Sequence, residues 1–333
     1  MRYLLQRLLQ LVIVFVLVTF GVMIIMRIGS NTPEEMAIKL SGGPITDVQQ
    51  QALISRYKLD SNYLVQYWTW LWNLIVHQDL GESPMNSTTV WKLMQPRVVT
   101  TFLLGIYANI VALVLAVPLA VRQAQKRDSR FDKTGNFMTF IGVGIPAVVL
   151  GVLLQWVFAL KLQWCTNEAG KAIACFPFVA DKVYPWDNLG DHIKNFLLPT
   201  LSLAIPIAAV YGRLLRSDMV QTLQSDFVTL ASAKGVPPRR VLWRHALRNS
   251  SLSLLTAVGT QTGALLGGAL VVETLYDLDG LGSLLVVSVL ASDLFTVQSF
   301  VAIIVLLVVV VNFTVDISYA LVDPRIRQAR TLV

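Results

Sequence analysis

Phe227–Asn249 reads FVTLASAKGVPPRRVLWRHALRN. Five residues in it are fixed cations, Lys234, Arg239, Arg240, Arg244 and Arg248, and His245 stands among them. The small residues Ala231, Ser232, Ala233 and Gly235 come just before. Gly235 ends one helical run, and Pro237-Pro238 opens the next, because proline suits a helix start and not its interior. The stretch therefore predicts a short helix, a sharp turn and a second short helix. Small side chains on the first helix let another protein surface come close, and the cations would seat it against acidic groups. On either side lie the apolar runs Phe196–Leu215 and Leu252–Val272. A basic island between two such runs is a loop between membrane spans.

The whole chain has that character. It is 333 residues long, 55% hydrophobic and 14% charged, with a mean hydropathy of +0.61. A soluble enzyme needs more polar surface than this. A membrane-spanning helix takes about 20 mostly apolar residues. Six stretches qualify: Leu8–Met26, Val98–Val121, Phe137–Leu160, Phe196–Leu215, Leu252–Val272 and Val297–Leu321. The reading is an all-α polytopic membrane protein with six transmembrane helices. Met1–Gln10 is basic, the apolar run after it is long, and no small-x-small site follows, so it reads as a retained first span and not a cleaved signal.

An even number of spans puts both termini on one side. With the N-terminus inward, the inner segments carry Arg2 and Arg7; Arg122, Lys126, Arg127, Arg130 and Lys133; Arg213, Arg216 and the five cations of 227–249; and Arg325, Arg327 and Arg330. These are seventeen of the 27 Lys and Arg. The acids there are Asp128, Asp132, Asp218, Asp226 and Asp323, whereas the outer loop after the fifth span holds Glu273, Asp277, Asp279 and Asp293 and no cation. Positive charge marks the cytoplasmic side, so both termini and the 227–249 loop are expected there, in a plasma (inner) membrane. The formal charge of +7 belongs to this topology, and no nucleic-acid partner is expected. The division is 1–29, first span; 30–97, extracytoplasmic segment; 98–323, a core of five helices holding the cytoplasmic loop 216–251 and the extracytoplasmic loop 161–195; and 324–333, a cytoplasmic tail.

The pattern aromatic-Val-x-x-Ala-x-Ala-Lys-Gly over 227–235, followed by Arg-His-Ala-Leu-Arg-Asn over 244–249, resembles the cytoplasmic coupling loop of ABC importer permeases, closest to the dipeptide/oligopeptide branch. The Glu that names this loop elsewhere is absent, as is usual for the peptide branch. Tyr57-Lys58-Leu59-Asp60, Gln66-Tyr67, Asp79-Leu80-Gly81, the run from Val272 to Gly282, and Asp316-Ile317-Ser318-Tyr319 with Asp323-Pro324-Arg325 extend the resemblance over nearly the whole chain. Asp279 stands where the family has proline. The resemblance implies a type I permease fold with cytoplasmic coupling helices. It implies that Ala231, Ala233, Lys234, Gly235, Arg239, Arg240, Arg244, His245 and Arg248 couple the chain to an ATPase. The implied partners are a second, homologous permease, two cytoplasmic ATPases that bind ATP and magnesium, an extracytoplasmic substrate-binding protein and the bilayer; this chain itself would hold no cofactor. The implied cargo is di- or oligopeptides, with nickel complexes, oligosaccharides or peptide-like antibiotics as the alternative.

Other features keep two readings each. Tyr63, Tyr67, Trp68, Trp70 and Trp72 suit a small outer cap at headgroup level, as an interface belt or as a docking platform. Pro118, Pro146, Pro199 and Pro206 predict kinks that could pivot, or reflect the frequency of proline in membrane helices. Cys165 and Cys175 lie on the oxidising side with nine residues between them, and a disulfide is expected. Gly259, Gly263 and Gly267 recur every four residues and make a smooth stripe for close helix packing, within the chain or against a partner. Gln261 and Thr260 are polar at mid-span, one of them facing a water-filled path. Glu273 is a helix-end carboxylate at the interface or a gate group for a cationic substrate. Asp316, an acid within the last span, snorkels or lies on the path.

No catalytic constellation accompanies these. His77, His192 and His245 are scattered, no HExxH or Gly-x-Ser-x-Gly elbow occurs, and Gly170-Lys171 fails as a phosphate loop because Ala172 replaces Ser/Thr and Cys165 stands where the first Gly belongs. The chain is expected not to be an enzyme. Two other classes remain: an ion-coupled carrier, which usually shows mid-membrane charges, and a non-transporting receptor.

Overall fold

The computed structural model describes residues 2–27, 32–41, 43–83, 88–162, 165–166, 172–173, 175–181, 183–291 and 293–322. The helices are α1 (Arg2–Arg27), α2 (Pro33–Ser41), α3 (Asp47–Tyr57), α4 (Tyr63–Trp72) and α5 (Val90–Gln125). Then come α6 (Arg130–Gly144), α7 (Ala147–Lys161), α8 (Leu189–Leu223), α9 (Asp226–Ala233), α10 (Pro238–Tyr276), α11 (Leu281–Leu290) and α12 (Leu294–Val322). Strand pairing among the described residues is limited to Glu82–Ser83 with Thr88–Thr89 and Cys165–Thr166 with Ala172–Ile173.

Among the described residues, four helices are long and apolar enough to cross a membrane: α5, α8, α10 and the Leu294–Thr314 part of α12. The third expected span, Phe137–Leu160, is not one straight helix. It is the pair α6 and α7, bent by 102°. Ile145 is extended because the residue before a proline is pushed out of the helical region, and Pro146 leads into α7. Pro118, Pro199 and Pro206 do not break their helices: α5 and α8 run on through them. Of the four prolines, Pro146 is the one that marks a break between helices. The first expected span falls in α1, whose apolar part is Val12–Arg27.

The chain divides into two compact units. One comprises the residues up to Thr100 together with Asp279–Val309. Here α4 lies on α1: the Tyr67 and Thr19 hydroxyls are 2.7 Å apart, and the Phe20 and Tyr67 rings meet edge to face at 5.2 Å. Tyr67 and Trp70 are buried, whereas Tyr63, Trp68 and Trp72 are exposed. Thr46 caps α3 in a reciprocal box with Gln49. The Gln66 amide donates to the carbonyls of Leu59 and Ser61. Asp293 is buried and heads α12, accepting from Thr296 N–H and Oγ1 and from Ser83 Oγ. Ser299 Oγ donates to the Leu80 carbonyl, and Gly81, at φ +94°, turns against the Phe295 ring. The short motifs at 57–60, 66–67 and 79–81 therefore serve as structural fasteners of this unit.

The other unit comprises the described residues within Thr101–Leu278 and from Val310 onward. Leu104, Ala108, Ala112, Ala116 and Ala120 form a fully buried stripe along α5. Their four-residue spacing puts them on one face, and small side chains there let helices approach closely. Gly212 of α8 lies where Thr139 of α6 and Ala116 of α5 converge. A Cβ on Gly142 would sit 2.9 Å from the Ala209 Cβ, so α6 and α8 meet there only because the residue is glycine. Polar ties complete the packing. Tyr211 OH donates to Asn109 Oδ1 at 2.8 Å. Tyr276 OH donates to the Gly151 carbonyl at 3.1 Å and lies 3.0 Å from Ser202 Oγ, joining α7, α8 and α10. Arg216 of α8 grips Asp132 of α6 with Nε and Nη2, both at 2.6 Å. Cys165 and Cys175 are joined in a disulfide.

Candidate functional site: the loop from α8 to α10

The end of α8 is tied to α10 at Asn249 and Ser250. Thr222 Oγ1 lies 3.1 Å from Ser250 Oγ, and Asn249 Nδ2 donates to it at 3.4 Å. Between these fixed points the chain makes α9. Asp226 in its first turn complements the positive end of the helix dipole. Val228 is its single buried residue. Phe227 and Leu230 are exposed, and so is Trp243 on the next helix.

Gly235 stops α9. Its φ is +76°, a left-handed conformation, with the Gly235 N–H donating to the Ser232 carbonyl at 3.0 Å and the Val236 N–H to the Ala231 carbonyl at 3.2 Å. Two such bonds around a left-handed glycine cap the last carbonyls of a helix. Pro237 and Pro238 then open the next helix. That helix is not short, and the expectation of a second short helix is corrected: Pro238–Tyr276 is continuous over 39 residues, the first part wound in wide π turns over Val241–Ala246. Val241, Leu242 and Ala246 are buried, which leaves no reason for the helix to stop.

Ala233, Lys234, Gly235, Arg239, Arg240, Arg244 and Arg248 are exposed, and Ala231 and His245 are half-buried. Among the described residues, none of the five cations takes part in an ion pair. Burying one side of the bracket while exposing small, aromatic and cationic residues on the other makes a surface matched to an acidic, partly apolar partner. Among the described residues no cluster of three or more His, Cys, Asp or Glu could hold a metal ion.

The other candidates lie apart from this loop. Gly259 is buried, but Gly263 and Gly267 are exposed, and a Cβ at either would meet no atom within 4 Å. Among the described residues, the part of the stripe that they form packs against nothing. Gln261 is half-buried. Glu273 lies in the last turn of α10, is fully buried and accepts from Thr101 Oγ1 at 2.6 Å. A carboxylate held in the interior by a hydrogen-bond donor ties helices together. Asp316 lies on α12, outside the residues whose side chains are described. The sequence reading missed the alanine stripe of α5, legible in its four-residue spacing, and the Asp132–Arg216 pair, which no local signal reveals.

Residues 109–328 match the family described as the binding-protein-dependent transport system inner membrane component. The chain is 30% identical to the dipeptide transport system permease protein DppB of Alkalihalophilus pseudofirmus, over 98% of this chain and 99% of that protein. It is 32% identical to the oligopeptide transport system permease protein AppB of Bacillus subtilis, over 97% and 98%. With the dipeptide permease DppB of Escherichia coli it shares 31% over 86% and 87%. The helical body, the bracketed basic loop and the match over 109–328 agree, and this multi-pass membrane chain belongs to the binding-protein-dependent transport system inner membrane component family.

Proposed function

We propose that the chain forms half of the translocation path of an ATP-driven importer of di- or oligopeptides. A second, related permease supplies the other half, an extracytoplasmic binding protein delivers the peptide, and two ATPases bind ATP and magnesium on the cytoplasmic side. The chain itself does no bond chemistry. Both termini and the loop 227–249 face the cytoplasm, in keeping with the distribution of Lys and Arg.

One observation carries the mechanism: α9 is bracketed onto a helix that runs without interruption from Pro238 to Tyr276. At a rise of about 1.5 Å per residue, that helix is about 58 Å long. A displacement imposed on α9 by a closing ATPase pair reaches the far end of α10 as motion of a rod, because no break along it absorbs the push. Full-length relatives whose names specify dipeptide and oligopeptide transport support the cargo class. The test is uptake of a labelled dipeptide by cells expressing the complete system, with Ala231→Glu in this chain. The variant should insert normally, lose ATPase co-purification and lose uptake. Normal uptake by Ala231→Glu would remove the coupling role.

A further inference from the structure

Between α6 and α8 lies an open crevice of about 940 Å³, outside the coupling loop and unused by the reading above. Its charged rim is Lys133 and Arg213, with Asn136 and Ser217 beside them. Arg216 also borders it, but its Nε and Nη2 are engaged by Asp132. Lys133 and Arg213 are exposed, and among the described residues neither is in an ion pair. The nearby acid Asp218 does not line the crevice. Among the described residues, the site therefore carries two cations that no carboxylate pairs, since the adjacent Asp132 is taken by Arg216.

The wall changes character along α6. Phe137, Phe140 and Val143 follow Lys133 at helical spacing and are exposed, Phe140 by 70%. At about 1.5 Å per residue, Phe140 lies about 10 Å beyond Lys133, toward the interior of the span. A cationic, hydrogen-bonding rim that gives way over one to two turns to bare aromatic and aliphatic surface matches the profile of a phospholipid, headgroup first and acyl chain after. Basic pockets between transmembrane helices on the cytoplasmic side are where anionic headgroups bind.

We propose that this crevice seats the phosphate headgroup of an anionic phospholipid of the cytoplasmic leaflet on Lys133 and Arg213, with an acyl chain along Phe137, Phe140 and Val143. The assignment to that leaflet rests on the proposed topology. Bound there, the lipid lies against the Asp132–Arg216 joint between α6 and α8 and steadies the helix that leads into the coupling loop.

The test is native mass spectrometry of the full-length chain titrated with dioleoylphosphatidylglycerol, with dioleoylphosphatidylcholine as comparator. The wild-type chain should retain one phosphatidylglycerol in preference to phosphatidylcholine. Lys133→Gln or Arg213→Gln should weaken retention about fivefold, and the double variant about thirtyfold. Arg127→Gln with Arg130→Gln, outside the crevice, should change nothing. Equal retention by the double variant would overturn the site, as would equal retention of phosphatidylcholine. Competition by inorganic phosphate at the same concentration as the lipid would assign the pocket to a soluble anion. Loss of the lipid when the chain is purified with its partner subunits would assign the face to a protein contact. Thiol labelling of Lys126→Cys separates the two readings: labelling from outside overturns the topology and the leaflet together, whereas inside labelling with retention independent of Lys133 and Arg213 overturns the lipid site alone.

Discussion

Gly235→Ala isolates one backbone angle. At φ +76° an L-residue pays a conformational penalty of about 1–2 kcal/mol, while no atom lies within 4 Å of the added Cβ, so sterics add nothing. The cheapest escape is to release the two turn bonds from Gly235 and Val236 and let the end of α9 unwind. α9 has eight residues and one buried side chain, Val228, so little else holds it. The damage should stay local. The population of the docking-ready loop should fall about 5–30-fold, and the affinity for the proposed ATPase partner by the same factor. The assay is ATPase binding to the permease in nanodiscs, with thermal unfolding of the whole chain alongside. Gly235→Asn should be milder, because asparagine tolerates the left-handed region. Wild-type affinity in Gly235→Ala would refute the reasoning. So would an asparagine variant as weak as the alanine one, or a loss of affinity matched by unfolding of the entire chain.

Three further outcomes are expected. Gly142→Ala should destabilise the helical body by about 1–3 kcal/mol through overpacking against Ala209, and adding Ala209→Gly should restore the unfolding temperature. Gly263→Leu with Gly267→Leu should leave the isolated chain as stable as wild type, since nothing among the described residues touches those positions, yet abolish co-purification with the proposed second permease; a normal complex would show that the stripe is not the contact. Asp132→Ala should cost about 3 kcal/mol in thermal unfolding, because Arg216 loses its buried partner, and Asp132→Leu with Arg216→Met should recover most of it.

The fold class was legible because transfer from water to lipid is close to additive along the chain, so runs of apolar residues announce spans without knowledge of their neighbours. The basic loop was legible for a related reason. Gly235 and the Pro237-Pro238 pair act through their own backbone angles, and the structure puts the turn and the helix start at those residues. The motifs at 57–60, 66–67 and 79–81 could be read as words but not as fasteners, since Leu80 meets Ser299 from the far end of the chain.

What the residues could not announce alone is every property that depends on a distant partner. Proline at 146 and proline at 199 or 206 are the same chemical fact, yet one breaks its span and the others ride inside an unbroken helix. Three evenly spaced glycines look alike in a row, but one is buried and two face outward. Glu273 reads as a polar end group until Thr101, 172 residues away, is found donating to it in the interior. Asp132 and Arg216 are 84 residues apart and ordinary until α6 and α8 bring them together. Local chemistry decides whether a segment enters the membrane and where it turns. Which side of each helix is covered depends on packing energies summed over pairs, and those pairs exist only once the chain has folded.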